Sequence, residues 1–191
     1  MAKLIFITHP EVIVDPQTDV RRWRLSDTGR ARMRIFADSP VVADVTTIWS
    51  SAETKALEAA AILATQSGLE VQVDEDLGEN DRSATGFLAP GEFEKVAAAF
   101  FAEPQKSVRG WERAQDAQQR IGNAVGRILA GHGKGDIAVV AHDTVGSLLL
   151  CSYSGRPISR TADQPFQGHY WMAELPVMAL LHPWRPIAPR V

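Results

Sequence analysis

The sequence predicts an α/β fold: a three-layer α/β/α sandwich on a mainly parallel sheet, with a small helical insertion over the C-terminal ends of the strands. Three observations carry this. Short apolar runs rich in β-forming residues alternate with longer Ala-rich or amphipathic stretches, the rhythm of strand–helix–strand units. Two of the runs, residues 4–7 and 137–141, are apolar at every position, as strands buried on both faces are. Both deliver a histidine at the C-terminal end: His9 follows KLIFIT and His142 follows DIAVVA.

In chain order, residues 3–8 read as the first strand. SDTGRARMRIFAD reads as a helix that Ser26 or Asp27 can cap, because a short oxygen side chain there satisfies free backbone N–H groups. Residues 46–50 form a second strand, which runs into the Ala-rich helix SSAETKALEAAAILATQSG. Ser50 and Glu53 have capping-box spacing at its start, and Gly68 suits a left-handed stop at its end. Residues 70–74 and 136–141 are the third and fourth strands, and TVGSLLLCSYSG is the helix after the fourth. HYWMAEL and VMALLHPW flank Pro176 and suit two late strands, antiparallel at a sheet edge.

Residues 77–109 break the rhythm. Polar GENDRSATG leads to a short apolar helix, EFEKVAAAFFAE, stopped by Pro104. This segment is expected to lie as a cap over the strand ends of a single domain spanning 1–191. SVRGWERAQDAQQRIGNAVGRILAG then reads as a long amphipathic helix with Ala114, Ile121, Val125 and Ile128 on one side.

Composition excludes several function classes. A chain of 191 residues with 45% hydrophobic content can bury one sizeable core. The formal net charge is -3, and the basic residues form no stripe of the kind that tracks nucleic acid. Arg30, Arg32 and Arg34 read as a solvated helix face. The single cysteine, Cys151, allows neither an intrachain disulfide nor a cysteine-based metal cage. No apolar stretch approaches the roughly 20 residues of a membrane span, and residues 4–7 are too short for a signal-peptide core. A cytoplasmic setting, no membrane partner and no cofactor are expected. A metal hydrolase on His9, His142 and His169 would lack a compact ligand motif such as HExxH.

The chemistry gathers at one sheet edge. In parallel α/β sheets, ligands bind beyond the carboxyl ends of the strands. His9, His142 and the Ser50-Ser51 junction all fall there. A helix N-terminus at Ser51 favours anions, and Lys55 adds a charge. Two imidazoles, an ammonium and a helix N-terminus suit a phosphate, with one imidazole as nucleophile. Glu79, at the mouth of the insertion, is the candidate proton donor for the leaving oxygen. Trp111, Phe87 and Phe93 are candidates for an apolar leaving-group pocket or for simple packing.

Six segments resemble the histidine phosphatase superfamily, also called phosphoglycerate mutase-like. ITHPEV resembles its strand-ending Arg-His-Gly-Glu motif. WRLSDTGRARM resembles LTxxGxxQA, and IWSSAETKALEAAAILA resembles SSPxxRAxxTA. DLGEND resembles the acid segment LxE, RGWERAQDAQQRI its GES…RV helix, and VVAHDTVGSLLL its VVSHGGVIRALL. The resemblance implies His9 as a nucleophile that forms phosphohistidine, His142 as the second histidine of the phosphate pocket, and Glu79 as the acid/base. It places Lys55 at the second arginine, Thr8 at the first, and Asp15 where many relatives have a phosphate-binding asparagine. Thr8, Lys55, Asp15 and Ser51 are therefore the expected phosphate contacts.

The departures fall in that pocket. Thr8 brings a hydroxyl and no charge, and Lys55 a point charge in place of a planar fork. Arg21, Arg22, Arg24 and Arg82 are candidates to supply the missing cation. Two functions follow. One is a phosphomonoester hydrolase acting through phosphohistidine on a small phosphorylated substrate. The alternative is a catalytically silent phosphatase fold that binds an anionic ligand or a protein partner. NDRSATG lacks the Arg-Tyr ligands that mutases use after the acid, which disfavours a mutase. The late strands leave room for a homodimer.

Overall fold

The computed structural model describes residues 1–190. Six strands form one sheet: β1 (Lys3–Thr8), β2 (Val45–Ser50), β3 (Val71–Val73), β4 (Asp136–Ala141), β5 (His169–Glu174) and β6 (Ala179–Pro186). Their order across the sheet is β3-β2-β4-β1-β5-β6. The first four run parallel, while β5 is antiparallel to β1 and β6 to β5. All four early strands and the antiparallel edge agree with the sequence reading. Pro183 and Pro186 sit in β6, the edge strand, where a missing N–H costs least.

Five helices cover the sheet: α1 (Asp27–Ala37), α2 (Thr54–Ser67), α3 (Pro90–Ala102), α4 (Ala114–Gly131) and α5 (Asp143–Tyr153). The alternation along β1 decides which covers which face. Ile5 and Ile7 pack with Met33 and Phe36 of α1 and with Ala56, Ala59 and Leu63 of α2. Leu4 and Phe6 point the other way, against Ile121 and Val125 of α4 and Val145 and Leu149 of α5. This is the three-layer α/β/α sandwich. A third apolar cluster joins Val96 and Phe100 of α3 to Trp111, Ala114 and Leu148. It ties residues 90–111 to α4 and α5. Among the described residues, no helix is long and apolar enough to cross a membrane.

Local signals held in part. Ser26 caps α1, its hydroxyl accepting from the Gly29 N–H at 3.1 Å. A Cβ at Gly29 would stand 2.2 Å from the Glu11 carbonyl oxygen, so the loop after β1 can close on α1 only over a glycine. Gly68 ends α2 with φ 69°. Three expectations need correcting. The capping box is not formed: α2 begins at Thr54, the Ser50 hydroxyl donates to the Ser51 carbonyl, and the Glu53 carboxylate is drawn elsewhere. The long amphipathic helix starts only at Ala114, because Arg109 (φ 53°) and Gly110 (φ 82°) turn the chain first. Arg32 is not on a solvated face. It is fully buried and donates to Glu11 and to the carbonyls of Gln167, Gly168 and Ala188.

Candidate active site

The two histidines meet because of strand register. In the parallel β1–β4 pair, Thr8 stands opposite Ala141, so the next residue on each strand leaves the sheet at the same place. The His9 N–H donates to the Ala141 carbonyl at 3.1 Å. The imidazoles of His9 and His142 lie 5.3 Å apart, centre to centre, within reach of one small anion. β2 supplies the third element: Ser50 pairs with Val140, and the Ser51 hydroxyl lies 2.7 Å from His142 Nε2.

The His9 ring has a defined orientation. Its Nδ1 lies 2.9 Å from the Pro10 carbonyl oxygen, which can only accept, so Nδ1 carries the proton. Nε2 is left with a free lone pair. His9 lies well below the usual imidazole range, through burial first and then through the charges of His142 and Lys55. His142 is lowered likewise, by burial and then by Lys55 and Arg82. Both rings are therefore neutral near pH 7. The sign for stability follows. Below about 6.5, the ordinary imidazole value, the unfolded chain binds a proton that folded His9 refuses. The neutral burial costs nothing above that value and destabilises as pH falls. His9→Gln should thus lose less stability than wild type between pH 7 and 5, by up to about 1.4 kcal/mol per pH unit. Denaturant midpoints of the two proteins at each pH check this.

Glu79 reaches the same edge from the loop after β3. Its carboxylate accepts from the backbone N–H groups of Thr144 (3.3 Å) and Val145 (3.2 Å) in the first turn of α5, and from Asn80 N–H (3.0 Å). Two residues hold this loop. The Glu79 N–H donates to Glu53 Oε1 at 2.9 Å. Arg120, from α4, donates to the carbonyls of Asp76, Gly78 and Glu79 and to the Glu112 carboxylate.

The phosphate contacts expected from the sequence meet three fates. Ser51 and Lys55 lie in the site. Lys55 is buried, but Nζ donates to the Val20 carbonyl at 2.8 Å and pairs with Glu53. Thr8 is buried and inside the fold. Its hydroxyl lies 2.7 Å from Gln164 Oε1 and accepts from the His169 N–H at 3.0 Å. Asp15 is not brought to the histidines. It is exposed and caps its own turn, accepting from Gln17 N–H at 3.0 Å and from the Thr18 hydroxyl. The Thr18 bond, then Gln17, holds its carboxyl below the usual range. Of the substitute cations, Arg21 pairs with Asp19 and Arg24 with Glu58, and Arg82 lies over the rings of Phe93 and Trp111. His169 packs on Phe166 and takes no place beside the two imidazoles.

Sequence reasoning missed Glu53, Gln164 and Arg120. Glu53 was visible as an acid two residues from Lys55, yet its spacing matched a cap equally well. Gln164 and Arg120 carry no local signal, because each acts across a long sequence separation. Gln164 is buried and lines the cleft with His9. Asp143 follows His142 and lines the same cleft. Burial, with Asp163 and Glu79 nearby, pushes its carboxyl well above the usual range.

His9 opens on a cleft of about 380 Å³ lined by residues of the β1 loop, of segment 79–94 and of 143–167. A larger cleft of about 840 Å³ adjoins it, sharing Val20, Glu79, Arg82, Gly86 and Phe87 but not His9. His9 lines only the smaller of the two.

A search of curated proteins finds no match. Solved structures share the fold at low identity. A mycobacterial glucosyl-3-phosphoglycerate phosphatase, Rv2419c, in complex with VO3, is 18% identical with a TM-score of 0.80, over 97% of this chain and 100% of its own. Bacillus stearothermophilus YhfR is 21% identical with a TM-score of 0.77, covering 96% of this chain and 95% of its own. The Rv3214 product of Mycobacterium tuberculosis is 17% identical with a TM-score of 0.74, covering 97% and 98%. The family model of the histidine phosphatase superfamily (branch 1) matches residues 9–170. With its two strand-ending histidines facing each other and that match spanning most of its length, this chain belongs to the histidine phosphatase superfamily.

Proposed function

We propose that this protein hydrolyses a small phosphomonoester through a phosphohistidine on His9. One observation carries the reading: the Pro10 carbonyl fixes the proton on Nδ1, so Nε2 is unprotonated on a ring that lines the cleft and lies 5.3 Å from the His142 ring. Nε2 attacks phosphorus and the P–O bond to the leaving group breaks. Glu79 delivers a proton to the leaving oxygen. The phosphoimidazolium keeps its Nδ1–H bond to Pro10, which disperses the positive charge. Water then attacks phosphorus, gives its proton to Glu79, and the N–P bond breaks to free phosphate and neutral His9. In this reading the Ser51 hydroxyl, His142 and Lys55 turn from their present partners to hold the equatorial oxygens. A phosphate-release screen over phosphomonoesters, with trapping of an acid-labile phosphoenzyme, tests this. No release from any ester and no trapped phosphoenzyme would sink it.

Glu79→Gln should lower kcat by roughly 100-fold with little change in KM, as loss of a general acid does. Full activity in that variant would move the proton to Asp143. Asp81 is the poorer substitute, since bonds from Ser83 hold its carboxyl low.

A second reading, a silent anion-binding module, is favoured by the Glu53–Lys55 pair, which cancels the pocket's buried ammonium. Glu53→Gln tests the anion pocket that both readings require, and phosphate release then separates them. In an anion pocket the substitution frees Lys55, and inorganic phosphate should bind more tightly, with a gain that fades as salt rises. Isothermal titration showing unchanged phosphate affinity would mean that the cleft serves neither reading's anion.

A further inference from the structure

The cleft beside His9 has two chemically distinct parts. The histidine end is polar, with Lys55, Glu79, Asp143 and Gln164. Away from it, Val12, Val14, Val20, Trp23, Phe87 and Phe93 supply an apolar wall. These six come from two segments, the loop after β1 and the segment before and within α3. Trp23 and Phe87 meet across the gap, their rings 5.9 Å apart. Trp23 is anchored from behind, its Nε1–H donating to the carbonyls of Asp15 and Thr18, so its ring is pinned rather than free. Val14 remains 57% exposed at the rim, apolar surface that none of the described residues covers.

Charge decides what can lie against that wall. Among the described residues, the cations lining this cleft are Lys55 and Arg82. Lys55 is held by Glu53 and Val20, and Arg82 lies over Phe93 and Trp111, 5.2 Å from the nearer ring centre. The acids lining it are Glu79, Glu94 and Asp143. A leaving group with its own carboxylate or second phosphate would meet three carboxyl groups against two cations, Lys55 paired with Glu53 and Arg82 stacked on aromatic rings. An apolar body would find a matched surface.

We infer that the leaving-group subsite takes an apolar, ring-bearing alcohol without a second anionic group. The turnover part of this rests on the hydrolase reading. The binding part does not. The substrate class is thus a monophosphate ester of an aromatic or bulky aliphatic alcohol, with the phosphoryl group at His9 and the carbon skeleton against the wall that Trp23 and Phe87 form together.

The test compares esters with alkyl leaving oxygens, so that leaving-group acidity does not decide the rates. For 2-phenylethyl phosphate, kcat/KM should exceed that for 3-phosphoglycerate by about tenfold or more, the worth of burying a ring. Glycerol 3-phosphate should fall between. The Trp23→Ala/Phe87→Ala double variant should collapse the ratio between the first two esters. In parallel, binding of the non-hydrolysable 2-phenylethylphosphonate is measured by titration on wild type and double variant. Turnover of 3-phosphoglycerate equal to or faster than that of the aromatic ester would overturn the inference and leave the hydrolase reading standing. Phosphonate binding that the double variant loses, with no turnover of any ester, would support the inference and sink the hydrolase reading. Phosphonate affinity unchanged in a folded double variant would overturn it.

Discussion

His9→Ala is expected to abolish measurable phosphate release, a fall of at least ~10⁴-fold in kcat, as removal of a covalent nucleophile does elsewhere. The fold should survive. His9 lies at the end of β1, beyond the two apolar clusters that hold the sheet, and its ring bonds only to the adjacent Pro10 carbonyl. The variant also removes a buried ring that resists protonation, so its stability should depend less on acid than that of wild type. Neither His142 nor Asp143 can take over. His142 Nε2 is committed to the Ser51 hydroxyl, and burial pushes the Asp143 carboxyl well above its usual range, towards the protonated form that is a poor nucleophile. Single-turnover assays with the released phosphate quantified, and a melting curve for each protein, are the measurements. Residual release within tenfold of wild type, from a pure preparation, would show that another group attacks phosphorus.

Arg32→Met is expected to cost about 3–5 kcal/mol, the usual penalty for breaking a buried ion pair from one side. Arg32 is fully buried. Its guanidinium joins three segments that are distant in sequence: Glu11 just after the first histidine, residues 167–168 before β5, and Ala188 near the C-terminus. It also lies over the Phe166 ring, 5.3 Å from its centre. Methionine keeps the aliphatic stem but leaves the Glu11 carboxylate and three carbonyls without their donor. For a chain of this length the loss corresponds to a fall in Tm of roughly 10 °C. The Glu11→Gln/Arg32→Met pair should lose less than the sum of the single changes, because each single change strands the other partner. Urea unfolding of the four proteins gives the coupling. Additive losses would mean that the two side chains do not act as a pair.

The arginine also connects stability to the site. Glu11 is two residues from His9, and Gly29 lets the intervening loop lie against α1. Loosening this corner should raise KM before it lowers kcat, since the loop carries the apolar wall at Val12 and Val14 as well as His9.

The sequence by itself determined the layering and the sheet edge at which the two histidines meet. Strand identity was readable because buried parallel strands must be apolar throughout, and residues 4–7 and 137–141 are. The meeting of His9 and His142 was readable for the same reason, since parallel strands in one sheet bring their C-terminal ends to one edge. Tertiary structure alone decided what surrounds them. Lys55 looked like a free phosphate ligand until the fold laid Glu53 and the Val20 carbonyl against its ammonium. Thr8 looked like a truncated arginine, and the fold turned its hydroxyl to Gln164, 156 residues away. Arg32 sits at a helix spacing that suits solvent, and its burial follows from two carbonyl-rich segments that arrive from the far end of the chain. Asp15 aligned with a phosphate ligand, yet its own turn took the carboxylate first. Hydrophobic periodicity is a local property and survives in the sequence. The partner of a buried charge is chosen by whichever backbone or side chain the fold brings within about 3 Å, and no local pattern records that choice.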